Sequence, residues 1–439
     1  MTNKTRYVLT PVLVLVCVAN CTVPTPWIVK ETVSATRSSD DSLRLAAITP
    51  APLSTLSPLP DIFPKIDRRP APAVFRRGAL AAVPSYDPDS KEPSQVDLRA
   101  SDLSSLDLTH SLGDLLYADF DDQTVWPPKK RMPRDFDWER ILELGRNPGL
   151  GVRSLHARGI TGRGVSIAIV DQPLLVDHQE YSARLHLYEE INIEPDTESQ
   201  MHGPAVASIA VGETVGVAPG ARLYYIGSWA ADWDGKGGFT WNFQYFAQAV
   251  RRLVEISAGL PRDQRIRVIA MQIGFSPEMA DVTEINAAIE EAKAAGMLVV
   301  CSTIEQVHGF KFHGLGREPM ADPDAFESYG PGLWWAETYY AGNRFDDRLL
   351  IPMDSRTTAG PLGADEYVFY RQGGWSWAMP YIAGLYALAA QVDRDITPDR
   401  FWSLALETGR TIVLDHGGQE ITFGPIVDPV ALIAALQAQ

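Results

Sequence analysis

Gly162-Arg163-Gly164-Val165-Ser166-Ile167-Ala168-Ile169-Val170-Asp171 is the stretch on which the fold turns. Two glycines allow a tight turn, and the run 165–170 that follows is apolar or small at every position, as in a strand covered on both faces. A sheet of such strands needs helices on either side. Working outward, 221–226, 266–273 and 297–302 are runs of the same kind. Between the last two, 281–295 has the apolar spacing and charge of an amphipathic crossover helix, which makes a βαβ unit. The alternation predicts an α/β fold, a parallel sheet flanked by helices, over residues 149–439.

In open α/β sheets functional groups collect at the carboxyl ends of strands, where Asp171 stands. Taken alone, an aspartate after a strand is as well explained by turn chemistry. Two further segments carry chemistry. His202-Gly203-Pro204-Ala205-Val206-Ala207-Ser208-Ile209-Ala210 places a histidine at the first turn of a helix of small residues, and Val215-Gly216-Val217-Ala218-Pro219 follows it. Histidine, titrating near neutrality, is the natural proton acceptor for a hydroxyl. In Gly373-Gly374-Trp375-Ser376-Trp377-Ala378-Met379-Pro380-Tyr381-Ile382-Ala383-Gly384 the glycines let the backbone turn sharply into a helix. Ser376 then sits at a helix N-terminus, where backbone N–H groups can face a developing oxyanion.

These three segments, in the order Asp, His, Ser, resemble the motifs of the subtilisin-like serine peptidases (S8/S53 type). The resemblance runs from about Gly149 to Thr408 and implies a catalytic triad of Asp171, His202 and Ser376. Gln172-Pro173 departs from the usual residues after the aspartate, and Trp375 and Trp377 replace the usual Thr and Met. A competing reading takes Gly374-Trp375-Ser376-Trp377-Ala378 as the nucleophile elbow of an esterase or lipase. That fold needs its acid and histidine after the serine, where Asp415-His416 is a poor offer.

The resemblance also implies that 234–239 is an edge strand facing Met271-Gln272-Ile273-Gly274, with a substrate peptide adding between them. Gly237, Gly238, Gln272 and Gly274 are then substrate-binding positions. Where the family has an Asn whose amide donates to the oxyanion, this chain reads Thr303-Ile304-Glu305. An ionised Glu305 repels that oxygen, whereas a buried, protonated one donates to it. The expectation is a slow or acid-shifted endopeptidase with Ser376 and a neutral Glu305 at the oxyanion; Gln306 and Asn343 are the other amides available. The alternative is a catalytically impaired scaffold that binds peptides or partner proteins.

The chain has 439 residues and a formal charge of -16, which speaks against a nucleic-acid surface. Its start reads as an export signal over 1–21: Lys4 and Arg6 precede an apolar run that is short for a membrane span. Of three cysteines, Cys17 and Cys21 fall in or beside that run, so no disulfide framework is expected. Val18-Ala19-Asn20-Cys21 resembles a lipoprotein processing site, with Cys21 the lipidated residue and Asn20 a departure. An extracellular protein or a lipoprotein at the cell surface is expected.

Residues 22–92, rich in Pro, Ala and Ser, read as a largely disordered tether or propeptide. In 93–148, Asp97-Leu98, Asp102-Leu103 and Asp107-Leu108 recur every five residues, too few units for a solenoid, and read as turns laid against the main domain. A short helix is expected over 138–144. The implied partner is a protein or peptide substrate, the chain is expected to act as a monomer, and no cofactor is required. Relatives bind structural calcium, but no acidic loop here has that spacing.

Overall fold

The computed structural model describes residues 63–439 apart from 91, 234–237, 278, 280, 345 and 439. The expected signal segment, Cys21 and Gly237 lie outside the described residues. Among those described, the main sheet has strands β1 (Lys65–Ile66), β2 (Ser166–Asp171), β3 (Leu185–Ile191), β4 (Arg222–Ser228), β5 (Ile266–Met271) and β6 (Leu298–Val300). All are parallel, in the spatial order β1-β3-β4-β2-β5-β6.

Residue alternation along β2 shows why both faces had to be apolar. Ile167 and Ile169 enter one core cluster, with helices α1 (His202–Val211) and α4 (Trp375–Val392). Ala168 and Val170 enter the other, with α2 (Gln244–Gly259) and α3 (Val282–Ala294). Successive side chains of a strand point to opposite faces, so a run apolar at every position fills two layers at once. Helix α3 joins β5 to β6, which pair in parallel, as the expected βαβ unit requires.

A second sheet carries the later strands. Phe312–Arg317 and Leu349–Pro352 pair in parallel, and the hairpin Arg410–His416 with Gln419–Ile426 joins its far edge. Strands Leu349–Pro352 and Tyr367–Tyr370 precede the serine segment.

The described part of the segment ahead of the main domain, from residue 63, is held against it. From residue 63 onward the expected tether is docked. Lys65–Ile66 adds the edge strand β1 beside β3, and Lys65 and Arg68 reach Glu189 and Glu190 at 2.8 and 2.6 Å. Glu189 also holds the fully buried Arg252 through two bonds of 2.8 and 2.9 Å. The start of this segment is held by a strand edge and ion pairs together with single apolar contacts such as Phe63 on Tyr224, none of which needs a regular hydrophobic period.

The five-residue repeat has a physical basis. Asp97, Asp102 and Asp107 each accept a bond from the backbone N–H two residues on, at Arg99, Ser104 and Thr109, closing the same turn each time. Leu98, Leu103 and Leu108 are thereby delivered to one side and buried with Leu115, Phe120, Phe136 and Ile141. The layer is fastened to the main domain by strand Ala118–Asp121, which pairs antiparallel with Tyr367–Tyr370 and packs Phe120 on Phe369. The expected helix forms at Trp138–Arg146, its N-terminus capped by Asp137.

Candidate active site

Asp171 is the last residue of β2 and is 5 % exposed. One carboxylate oxygen lies 2.7 Å from Nδ1 of His202, the first residue of α1, and accepts also from the N–H of Gln172 at 2.7 Å. Such an arrangement keeps the proton of a neutral imidazole on Nδ1 and leaves Nε2 as the acceptor. Beneath it the buried Tyr225 hydroxyl donates to the carbonyl of Gln172 at 2.6 Å, holding the turn after the strand.

Ser376 is the second residue of α4 and is 8 % exposed. Gly374, at φ 66°, supplies the left-handed turn that starts this helix, a conformation that costs other residues far more. The first N–H groups of a helix lack the usual partner four residues back, and here that of Trp377 donates to the Gly374 carbonyl at 3.1 Å. Pro380, four residues on, has no N–H to return to the Ser376 carbonyl. Helices α1 and α4 pack on each other in one core, and the ring of Trp377 lies edge-on to that of His202 at 5.5 Å. Ser376 Oγ itself makes no hydrogen bond to His202. Asp171 and His202 thus form a bonded pair, and the helix that bears Ser376 meets it through Trp377.

Glu305 departs from the expectation. It lies in the short helix Ile304–His308 with its side chain 41 % exposed, and its oxygens stand 3.5 Å from both Lys311 Nζ and Arg348 Nη1. The burial on which a neutral, donating Glu305 depended is not there, because the helix turns the side chain outward between two cations. Gln306 and Asn343, the other amide candidates, are exposed.

Of the expected edge strand over 234–239, only Gly238 and Phe239 are described. Residues 234–237 lie outside the described residues, and Phe239 opens a strand, Phe239–Trp241, that pairs antiparallel with Ala231–Trp233. Gly238 is half-buried just before the second strand, and Gln272 is buried past the end of β5. Gly274 lies against the chain that leaves β6: Ser302 N–H donates to the Ile273 carbonyl at 2.9 Å. A Cβ at Gly274 would come within 3.0 Å of the Ser302 Cβ.

Sequence reading passed over an aromatic group beside the serine. Trp375 contacts Trp334 at 5.4 Å and His313 at 5.3 Å, and Trp334 is 43 % exposed. Burial pushes the His313 imidazole down to about 3, so it is neutral there. No local motif marks these residues, since Trp334 is 41 positions from Trp375. Among the described residues, no group of three or more His, Cys, Asp or Glu side chains is placed to hold a metal ion. Nor is any helix among them long and apolar enough to cross a membrane.

Residues 162–329 match the Subtilase family, a stretch that contains Asp171 and His202 and ends before Ser376. An intracellular serine protease of Paenibacillus polymyxa is 26 % identical over 310 residues, 63 % of this chain and 83 % of its own. Subtilisin-like protease 3 of Pseudogymnoascus destructans is 31 % identical over 160 residues, 36 % of each chain. The subtilisin-like protease PopC of Myxococcus xanthus is 34 % identical over 103 residues, 21 % of this chain and 22 % of its own. Among solved structures, the prenylagaramide maturation protease is 16 % identical with a TM-score of 0.44, covering 66 % of this chain and 99 % of its own. A protease of Pseudoalteromonas arctica is 19 % identical with a TM-score of 0.45, covering 66 % and 95 %.

Proposed function

The chain belongs to the subtilase family of serine proteases, and on that footing we propose that it is an exported serine endopeptidase working through Asp171, His202 and Ser376. The observation that carries the reading is the 2.7 Å bond between Asp171 and His202 Nδ1, with the helix start bearing Ser376 packed against the imidazole. Ser376 Oγ attacks the peptide carbonyl while His202 Nε2 takes its proton. The imidazolium so formed is stabilised by Asp171 and returns the proton to the leaving amine. Water then cleaves the acyl-enzyme by the same route in reverse. Ser376 is free of a bond to His202 in this structure, so substrate binding has to draw hydroxyl and imidazole together; catalytic bonds of this kind often tighten only in the complex.

The oxyanion is assigned to the backbone N–H groups at the start of α4. Glu305 is turned toward Lys311 and Arg348, and Gln306 and Asn343 are exposed, so the backbone groups carry the assignment. Losing one such donor typically costs about two to three powers of ten in turnover, so a slow enzyme is expected. Export rests on the sequence of the first residues, where Cys21 is the candidate for lipidation.

The missing bond between Ser376 and His202 and the outward turn of Glu305 also support a second reading, a scaffold that binds peptides without turnover. Casein cleavage and fluorophosphonate labelling from about pH 4 to pH 9, for wild type and Ser376→Ala, separate the two. Cleavage and labelling that vanish in Ser376→Ala establish the peptidase. Neither signal at any pH, from folded protein, leaves the scaffold.

A further inference from the structure

We propose that Asp354 is a positioning residue for the nucleophile: its carboxylate ties the turn carrying Ser376 to the loop carrying Trp334, and so sets where the serine hydroxyl and the helix-start N–H groups point. The inference rests on the peptidase reading of Ser376.

Asp354 follows strand Leu349–Pro352 and is 1 % exposed. One of its oxygens accepts the N–H of Gly373 at 3.0 Å, and the other accepts the N–H of Leu333 at 2.8 Å. Gly373 is three residues before Ser376, and Leu333 directly precedes Trp334, whose ring meets Trp375 on the other side of the serine turn. The neighbours of Asp354 reinforce the junction. Its own N–H donates to the Leu315 carbonyl at 3.1 Å, and the Ser355 N–H donates to the Arg371 carbonyl at 3.0 Å. Ser355 is held at φ 56°, a conformation uncommon for serine, which this junction overrides. A turn of consecutive residues therefore joins a strand of the second sheet, the Trp334 loop and the approach to the nucleophile.

A carboxylate suits this task because both oxygens are acceptors, one for each loop. An asparagine keeps the size but offers one acceptor, and turns its NH₂ toward a second N–H. Alanine leaves both loops without the tie. Burying a carboxylate is costly, and the two backbone donors, with the charge of nearby Arg371, are what offset that cost here.

The test compares wild type, Asp354→Asn, Asp354→Ala and Ser376→Ala in steady-state peptide hydrolysis, with hydrogen exchange followed over 330–336 and 371–378. The expected result is a kcat lower by roughly tenfold in Asp354→Asn and roughly a hundredfold in Asp354→Ala, as for a nucleophile displaced by about an ångström. KM should stay within about twofold, because Asp354 does not touch substrate. Exchange should quicken in those two loops and not elsewhere. Kinetics and exchange like wild type in both variants would overturn the proposal, as would a uniform rise in exchange across the domain. If wild type shows no Ser376-dependent turnover, the peptidase reading falls, and exchange alone decides the tie: unchanged protection of both loops in Asp354→Ala refutes it, local loss upholds it.

Discussion

Asp171 and His202, 31 residues apart in the chain, meet at 2.7 Å because β2 ends where α1 begins. The bond fixes which imidazole nitrogen carries the proton, so Asp171→Asn should leave the fold intact and disable the base. A fall in kcat on the order of 10⁴ is expected, as for other triads in which this aspartate is neutralised. Measuring kcat alongside the melting temperature checks it. A variant within tenfold of wild type would show that the carboxylate does not govern the imidazole.

Glu305 should matter little to turnover. Half-exposed ion pairs such as those with Lys311 and Arg348 are worth about 0–1 kcal/mol, and the carboxylate is directed to them. Glu305→Gln is therefore expected to change kcat/KM by less than about threefold between pH 5 and pH 8. A gain of tenfold or more near neutrality would place the charge back at the oxyanion.

The junction between the leading layer and the main domain should weaken as pH rises. Burial pushes the Glu366 carboxyl up to about 8, with Asp121 and Asp122 adding to the effect, and pushes Asp119 up to about 6. Each group holds its proton more tightly in the folded protein than in the unfolded chain. Their contribution is complete below the ordinary carboxyl range, and it is lost as pH climbs through about 6 for Asp119 and about 8 for Glu366. Melting temperature should fall from pH 5 to pH 8. Glu366→Gln, which cannot ionise, should shrink that fall by about 2 °C or more. An identical pH dependence in the variant would refute the assignment.

The turns of the leading layer can be probed through one side chain. Leu103 is fully buried among Leu98, Leu108 and Phe120, so Leu103→Ala should cost about 2–5 kcal/mol. Because strand Ala118–Asp121 fastens this layer to Tyr367–Tyr370, denaturant unfolding of the variant should begin there, and limited proteolysis should cut first within 93–136. Cleavage elsewhere first would mean that the layer is not held as one unit.

What the sequence determined on its own was everything carried by contiguous pattern. The doubly apolar run ending in Asp171 forced a covered parallel strand, 281–295 announced its crossover helix, and the period of five in Asp97, Asp102 and Asp107 set three identical turns. The placement of Asp171 at a strand end and of His202 and Ser376 at helix starts was legible because strand and helix ends show in local residue choice. The tertiary structure alone decided what depends on distant chain segments. It put Lys65 and Arg68 on the carboxylates of β3, turned Glu305 outward to Lys311 and Arg348, paired Ala231–Trp233 with Phe239–Trp241, and set Asp354 between Leu333 and Gly373. Burial and charge pairing are properties of three-dimensional neighbours. A periodicity can report which face of an element is apolar, but not which carboxylate that face will meet.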